Sequence, residues 1–162
     1  MAVEIERRFL VEGRNWESSA ETTSRIRQAY LALTPGAAVR IRIKDDKTAF
    51  LTIKSAGAGV ERAEFEYAIP VDDAEELMAL RTGEIIEKRR HDVFVGGAHW
   101  EVDVFSGDLD GLVIAEIELE DKDRTFDRPH WLDKEVTDDV RYSNASLAMK
   151  GLPRRDTPDI AG

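Results

Sequence analysis

The chain has 162 residues, enough for a single domain with one sizeable core. Lys and Arg total 23 against 33 Asp and Glu, a formal net charge of −10 that speaks against a partner of nucleic acids or anionic membranes, whose footprint is strongly basic. Cysteine is absent, which excludes disulfides, thiolate metal sites and a cysteine nucleophile, and no apolar run approaches the roughly 18 residues a bilayer span needs. The first eight residues are charged at once and lack an apolar signal core, so a cytoplasmic location is expected.

In chain order the dominant signal is period-two alternation, the mark of strands with one apolar and one polar face. Residues 3–9 put Glu4, Glu6 and Arg8 on one face. A strand holding Arg25, Arg27 and Tyr30 is expected over 25–33, and residues 38–44 oppose Arg40, Arg42 and Lys44 to Val39, Ile41 and Ile43. Residues 50–54 set Thr52 and Lys54 against Leu51 and Ile53, and 62–67 set Arg62, Glu64 and Glu66 against Phe65 and Tyr67. A helix is predicted over 74–80, with an N-cap among Val71, Asp72 and Asp73 and a stop at Thr82-Gly83. Strands follow at 84–95, holding Lys88 and Arg90, at 100–104 with Glu101 and Asp103, and at 115–120 with Glu116, Glu118 and Glu120. A short helix near 144–150 ends at Gly151 and Pro153, and 154–162 reads as a mobile tail. Turn signals at Thr34-Pro35-Gly36, Asp45-Asp46, residues 55–59, Gly96-Gly97 and Ser106-Gly107-Asp108 separate the strands. About eight strands suffice to close a barrel. The expected fold is mainly β (α+β): a closed eight-stranded antiparallel β-barrel with a few outer helices, one domain over 1–153.

The polar strand faces are almost wholly ionisable, and they segregate by strand. Acids pair at Glu4/Glu6, Glu64/Glu66 and Glu116/Glu118, whereas bases gather at Arg40, Arg42 and Lys44. Like charges at i and i+2 lie roughly 6.6–6.8 Å apart on a strand and repel unless a counter-ion bridges them. Converging carboxylates invite a hard divalent cation such as Mg²⁺ or Mn²⁺. Arg and Lys strands facing the same space invite a compact polyanion, because guanidinium forks match phosphate oxygens. A charged lumen with the apolar faces turned outward would satisfy both.

The segment Glu4-Ile5-Glu6-Arg7-Arg8-Phe9-Leu10-Val11 resembles the ExExK signature of the CYTH domain, the triphosphate tunnel metalloenzymes. The resemblance continues in order through Gln28-Ala29-Tyr30-Leu31, Val39-Arg40-Ile41-Arg42, Leu51-Thr52-Ile53-Lys54, residues 64–70, Lys88-Arg89-Arg90, residues 100–105, residues 115–119, Glu135-Val136-Thr137 and Arg141-Tyr142-Ser143-Asn144, covering about 2–152. It implies a barrel whose lumen binds a triphosphate and one or two Mg²⁺ or Mn²⁺ ions. It also implies hydrolysis of inorganic triphosphate, the activity typical of the small bacterial members, with nucleoside or thiamine triphosphate hydrolysis or adenylyl cyclase activity as alternatives. One departure falls in the signature: Arg8 stands where the family has lysine, which also leaves a non-catalytic polyphosphate or nucleotide binder as an alternative.

By this resemblance Glu4, Glu6, Asp103, Glu116 and Glu118 are the metal-ligand candidates, and Arg8, Arg40, Arg42, Lys54, Lys88 and Arg90 the triphosphate-binding ones. Arg8, Lys54, Glu64 and Glu66 are the catalytic candidates; the two glutamates would bind a second metal, orient water or hold arginines. His91, His99 and His130 are expected as partly exposed side chains, Tyr30 as packing in the wall, Lys150 as a solvated helix end, and Trp16, Trp100 and Trp131 as anchors of the outer core. The expected partner is a small-molecule triphosphate, with no nucleic acid and no membrane, for a monomer or homodimer.

Overall fold

The computed structural model describes residues 2–55 and 61–153, with the side chains of residues 2–4 and 61 left out. The expected tail over 154–162, most of the turn at 55–59 and the Glu4 side chain lie outside what is described. The strands are β1 (Ala2–Val11), β2 (Ala20–Leu33), β3 (Ala37–Lys44), β4 (Thr48–Ser55), β5 (Glu61–Ile69), β6 (Thr82–Val95), β7 (Ala98–Phe105), β8 (Val113–Glu118) and β9 (Leu132–Glu135); the helices are α1 (Val71–Met78) and α2 (Asn144–Lys150). Single 3-10 turns at Asn15–Ser19, Gly107–Leu109 and Val140–Tyr142 complete the described elements. The expected eight strands are therefore corrected to nine: the short β9 lies along β1, where Phe9 faces Glu135 and Val11 faces Leu132.

All pairings are antiparallel, in the order β5-β4-β3-β2-β6-β7-β8-β1-β9, with a further pairing of β5 to β1. β1 is long enough to serve three neighbours. Its first half, Ala2 to Ile5, faces Glu64 to Glu61, and its second half, Glu6 to Leu10, faces Glu118 to Ile114.

Residues opposite one another in antiparallel strands project to the same side. Arg42 faces Gln28, Arg40 faces Thr52 and Tyr30, Thr52 faces Glu66, and Lys54 faces Glu64. On the other flank Lys88 faces Ile26 and Phe105, Arg90 faces Ser24 and Asp103, and Arg8 faces Glu116. The register thus carries one charged face around the sheet from strand to strand.

The opposite face is apolar and covered from outside. Phe9, Val93, Trp100, Val102, Ala115 and Ile117 join Trp16 and Trp131 in one buried cluster. A second patch, Ala29, Ile41, Ile43 and Ala49, is covered by α1 through Ala74 and Met78, two residues one helical turn apart. The helix begins a turn earlier than the sequence suggests, because Pro70, with φ −60°, serves as the N-cap and accepts from Ala74 N at 3.0 Å. Asp72 and Asp73 then occupy the first turn, where carboxylates suit the helix dipole.

A third cluster lies on the charged side. Tyr30, Ile86, Phe105 and Ile114 pack with Leu147 and Ala148 of α2. The Ser143 side chain caps α2 by accepting from Ser146 N at 3.1 Å. Gly83 lets α2 approach β6: a Cβ there would meet Ala148 O and Met149 Sδ at 2.7 Å.

Candidate active site

The inner face gathers cations around few carboxylates. Asp103 is buried at 1% exposure, with Oδ1 accepting from Arg90 Nε at 2.8 Å and Oδ2 from Arg90 Nη2 at 2.9 Å. Lys88 Nζ lies 2.7 Å from the same Oδ2 and donates to Asn144 Oδ1 at 3.2 Å, which ties α2 to the floor of the site. Arg90 also reaches Glu101 at 3.3 Å. Burial alone would raise the Asp103 carboxyl, but Arg90 and Lys88 outweigh it and hold the group well below the usual carboxylate range. Burial pushes the Lys88 ammonium down to about 8, against the pull of Asp103 and with Arg90 and Arg42 adding repulsion.

Beside this cluster, Arg42 Nε donates to Gln28 Oε1 at 2.8 Å. Burial, then Arg40 and Arg90, make the Arg42 cation less favourable than in water, although a guanidinium stays charged in this range. Arg40 Nη2 donates to Thr52 Oγ1 at 3.2 Å, Thr52 donates to Glu66 Oε2 at 3.2 Å, and Glu66 stands 4.0 Å from Arg40. Glu66 is therefore bound into the basic wall, and Glu64 faces Lys54 across β4.

Arg8 joins the acidic side. Its Nη2 is 3.2 Å from Glu6, its Nε 3.6 Å from Glu116, and its Nη1 donates to the Tyr142 carbonyl at 3.2 Å. Burial, then the nearby Glu6, push the Glu116 carboxyl up, with Arg8 opposing. For Arg8 burial works against the charge, and Glu116 and Glu6 outweigh it, so its pKa is raised. Glu118 is exposed at the strand end, opposite Glu6. Among the described residues no group of three or more His, Asp or Glu side chains forms a ready metal cage.

A cavity of about 280 Å³ opens onto this face, lined by Glu6, Arg8, Arg40, Lys54 and Arg62 of the sheet and by Asp139, Asn144 and Lys150 of the C-terminal segment. Among the described residues several buried donors on this face find no acceptor within hydrogen-bond distance: Arg8 Nε, Arg40 Nε and Gln28 Nε2. Arg8 and Arg40 line the cavity, and cationic donors of this kind suit an oxyanion.

The structure thus brings together Glu6, Arg8, Arg40, Arg42, Lys54, Lys88, Arg90, Asp103 and Glu116 on one face, with Glu64, Glu66 and Glu118 along its margins. Tyr30 is 6% exposed and packed, as expected, but it also lines the cavity. Lys150 is exposed at the cavity rim, His91 is half-buried, and His99 and His130 are exposed. Trp16, Trp100 and Trp131 are buried on the outer side. Arg62, 3.9 Å from Glu6, was not among the sequence candidates although it alternates with Glu64 and Glu66. Gln28, Thr52 and Asn144 gave no charge signal and become visible only through their partners.

Fold and site together define a rolled antiparallel sheet that presents a charged oxyanion site. The chain belongs to the CYTH domain family, whose model matches residues 2–152. It is 43% identical over 148 residues to an inorganic triphosphatase of Acetivibrio thermocellus, covering 91% of this chain and 94% of that one. It is 37% identical over 150 residues to an inorganic triphosphatase of Nitrosomonas europaea, covering 90% and 97%. A crystal structure of an inorganic triphosphatase superposes with a TM-score of 0.69 at 34% identity, covering 94% of this chain and 99% of that one. A Hippeastrum protein described as a putative adenylyl cyclase with dominant triphosphatase activity, at 17% identity and a TM-score of 0.55 over 75% and 80% of the two chains, shares the fold alone. Among the described residues no helix is long and apolar enough to cross a membrane.

Proposed function

We propose that this protein is a divalent-metal-dependent inorganic triphosphatase, hydrolysing tripolyphosphate to pyrophosphate and phosphate inside a closed tunnel formed by β1–β8. The observation that carries the reading is the excess of buried donors on the inner face, facing a cavity of a few hundred Å³. Relatives named inorganic triphosphatase over nearly the whole chain support it. A cytoplasmic single unit over 1–153 acting on a small-molecule triphosphate, as monomer or homodimer, belongs to the same proposal.

Arg40, Lys54 and Arg62 would meet the anion at the cavity, with Arg42, Lys88 and Arg90 beyond them. Their charges would spread the negative charge developing on the leaving pyrophosphate as water attacks in line. Asp103 keeps Lys88 and Arg90 aimed, and the exchange of one buried carboxylate between two cations leaves net positive charge for the substrate. Glu66, held by Thr52 and facing Arg40, steadies the basic wall.

The carboxylates fit a hard cation. Burial, then repulsion from Glu6, pushes the Glu116 carboxyl up; a divalent ion would relieve that repulsion, and both carboxylates offer oxygen ligands. Glu6 and Glu116, with Glu4 and Glu118, would hold Mg²⁺ or Mn²⁺, whereas both oxygens of Asp103 are already engaged by cations. The ion would supply Lewis-acid neutralisation of phosphoryl oxygens.

The test offers the purified protein tripolyphosphate, ATP and thiamine triphosphate with Mg²⁺ or Mn²⁺ and measures phosphate and cyclic AMP. Metal-dependent phosphate release from tripolyphosphate is expected. Tight binding without turnover would leave a binding protein instead, the reading that Arg8 keeps open because Glu6, Glu116 and the Tyr142 carbonyl already surround its guanidinium. Turnover restored by Arg8→Lys would then locate the cause.

A further inference from the structure

Gln28 is fully buried on β2, at 0% exposure, and faces Arg42 across the β2–β3 pairing. Arg42 Nε can only donate, so the atom it meets at 2.8 Å has to be the amide oxygen of Gln28. That contact fixes the orientation of the amide and turns its NH2 group the other way, where Nε2 has no partner. Arg42 interacts in turn with Arg40 and Arg90, and Lys88 with both Arg42 and Arg90; all four are donors only. The carboxylate in their midst, Asp103, already accepts from Arg90 and Lys88. Leaving a buried amide N–H without an acceptor is unfavourable, and an oxygen of a bound ligand would supply one.

We propose that Gln28 is a substrate-binding residue of this site: its NH2 group donates to an oxygen of the bound inorganic oxyanion, while its carbonyl sets the rotation of the Arg42 guanidinium. The assignment rests on the triphosphatase reading and deepens it. A neutral donor among cations adds direction without adding charge. Gln28 and Arg42, opposite one another on β2 and β3 and joined at 2.8 Å, would meet one phosphoryl group side by side, next to Arg40, which lines the cavity.

The experiment is a double-mutant cycle read by calorimetric titration of tripolyphosphate, without metal, on the wild type, Gln28→Met, Arg42→Met and the double variant. Wild-type binding and turnover are measured first. Loss of affinity of at least tenfold is expected for Gln28→Met, and a further loss of at least fivefold when it is added to Arg42→Met. If Gln28 serves only to hold Arg42, the second step changes nothing, and that result overturns the proposal. A companion measurement needs no variant: the Gln28 side-chain amide resonances of the wild type should shift downfield on adding tripolyphosphate, and resonances unmoved at saturation would overturn it as well. A wild type that neither binds nor hydrolyses tripolyphosphate would overturn the triphosphatase reading and the assignment with it, whereas intact wild-type binding with an indifferent Gln28 would overturn the assignment alone.

Discussion

Arg7 and Arg8 follow one another on β1, yet the outer one forms a close two-point pair with one carboxylate and the inner one spreads longer contacts over three groups. Arg7 Nε and Nη2 donate to the two oxygens of Glu135 at 2.8 and 2.5 Å, and its guanidinium lies 5.1 Å from the centre of the Phe126 ring. Arg8 is more deeply buried, but its contacts to Glu6 and the Tyr142 carbonyl are 3.2 Å long, and its Nε has no hydrogen-bond acceptor. The contrast extends to the whole sheet. The outer face fills its volume with aromatic and branched side chains, and the buried donors it leaves over are the indole N–H groups of Trp16 and Trp100, whereas those left over on the inner face belong to Arg8, Arg40 and Gln28. Both sides of the strands pack apolar groups, but among the described residues buried charge gathers on the inner one alone.

The comparison breaks most sharply at Trp100, which is fully buried in the outer cluster. Trp100→Ala should cost about 3–5 kcal/mol in urea unfolding, while the molecules that remain folded bind tripolyphosphate as before. Asp103→Asn tests whether the inner face contributes to stability too. It leaves Lys88 and Arg90 buried without their carboxylate, a loss of about 3 kcal/mol, while metal-free tripolyphosphate affinity rises several-fold by titration. Weaker binding there would return Asp103 to the metal ligands. Arg42→Met should act oppositely, lowering kcat/KM at least a hundredfold with little net change in stability, since relief of burial and of repulsion from Arg40 and Arg90 is offset by the buried Gln28 carbonyl left without its donor.

The smallest effect is on the outer pair. The Arg7 hydrogen bond, outweighing burial, holds the Glu135 carboxyl below its usual value. A depressed folded pKa means stability that is present above the unfolded value, near 4.5, and lost as pH falls through the folded one. Glu135→Gln should cost about 1 kcal/mol at pH 7, a modest figure for a partly exposed pair, and thermal unfolding should show the gap to the wild type closing as the pH is lowered beneath 4.5.

The alternation of ionisable and apolar residues made the long strands legible, and with them most of the inner face, because a period of two assigns every second side chain to one side. β9 was not legible: Leu132-Asp133-Lys134-Glu135 is too short to show a period, and it exists because β1 offers it an edge. The start of α1 was displaced because Pro70, whose fixed φ suits a cap, outcompeted the aspartates as the boundary. Within the site, charge type was readable but pairing was not. Nothing in the order of residues says that Asp103 holds Lys88 and Arg90 together, since β6 and β7 decide that by their register. Uncharged Gln28 carries no compositional signal at all, and its role emerges only from the donor it faces.

The threefold engagement of β1 also bears on when the protein can fold. Arg8 N donates to Thr137 Oγ1 across 129 positions, and the remaining partners of the strand are supplied by β5, β8 and β9. A strand made before β5, β8 and β9 therefore waits for all three before its edges are covered. Contacts so distant in sequence make for slow assembly, on the scale of milliseconds to seconds in such topologies. Until residues 132–137 are made, the stretch of β1 from Phe9 to Val11 lacks the cover of β9, and a chain stalled short of them keeps that edge open to aggregation.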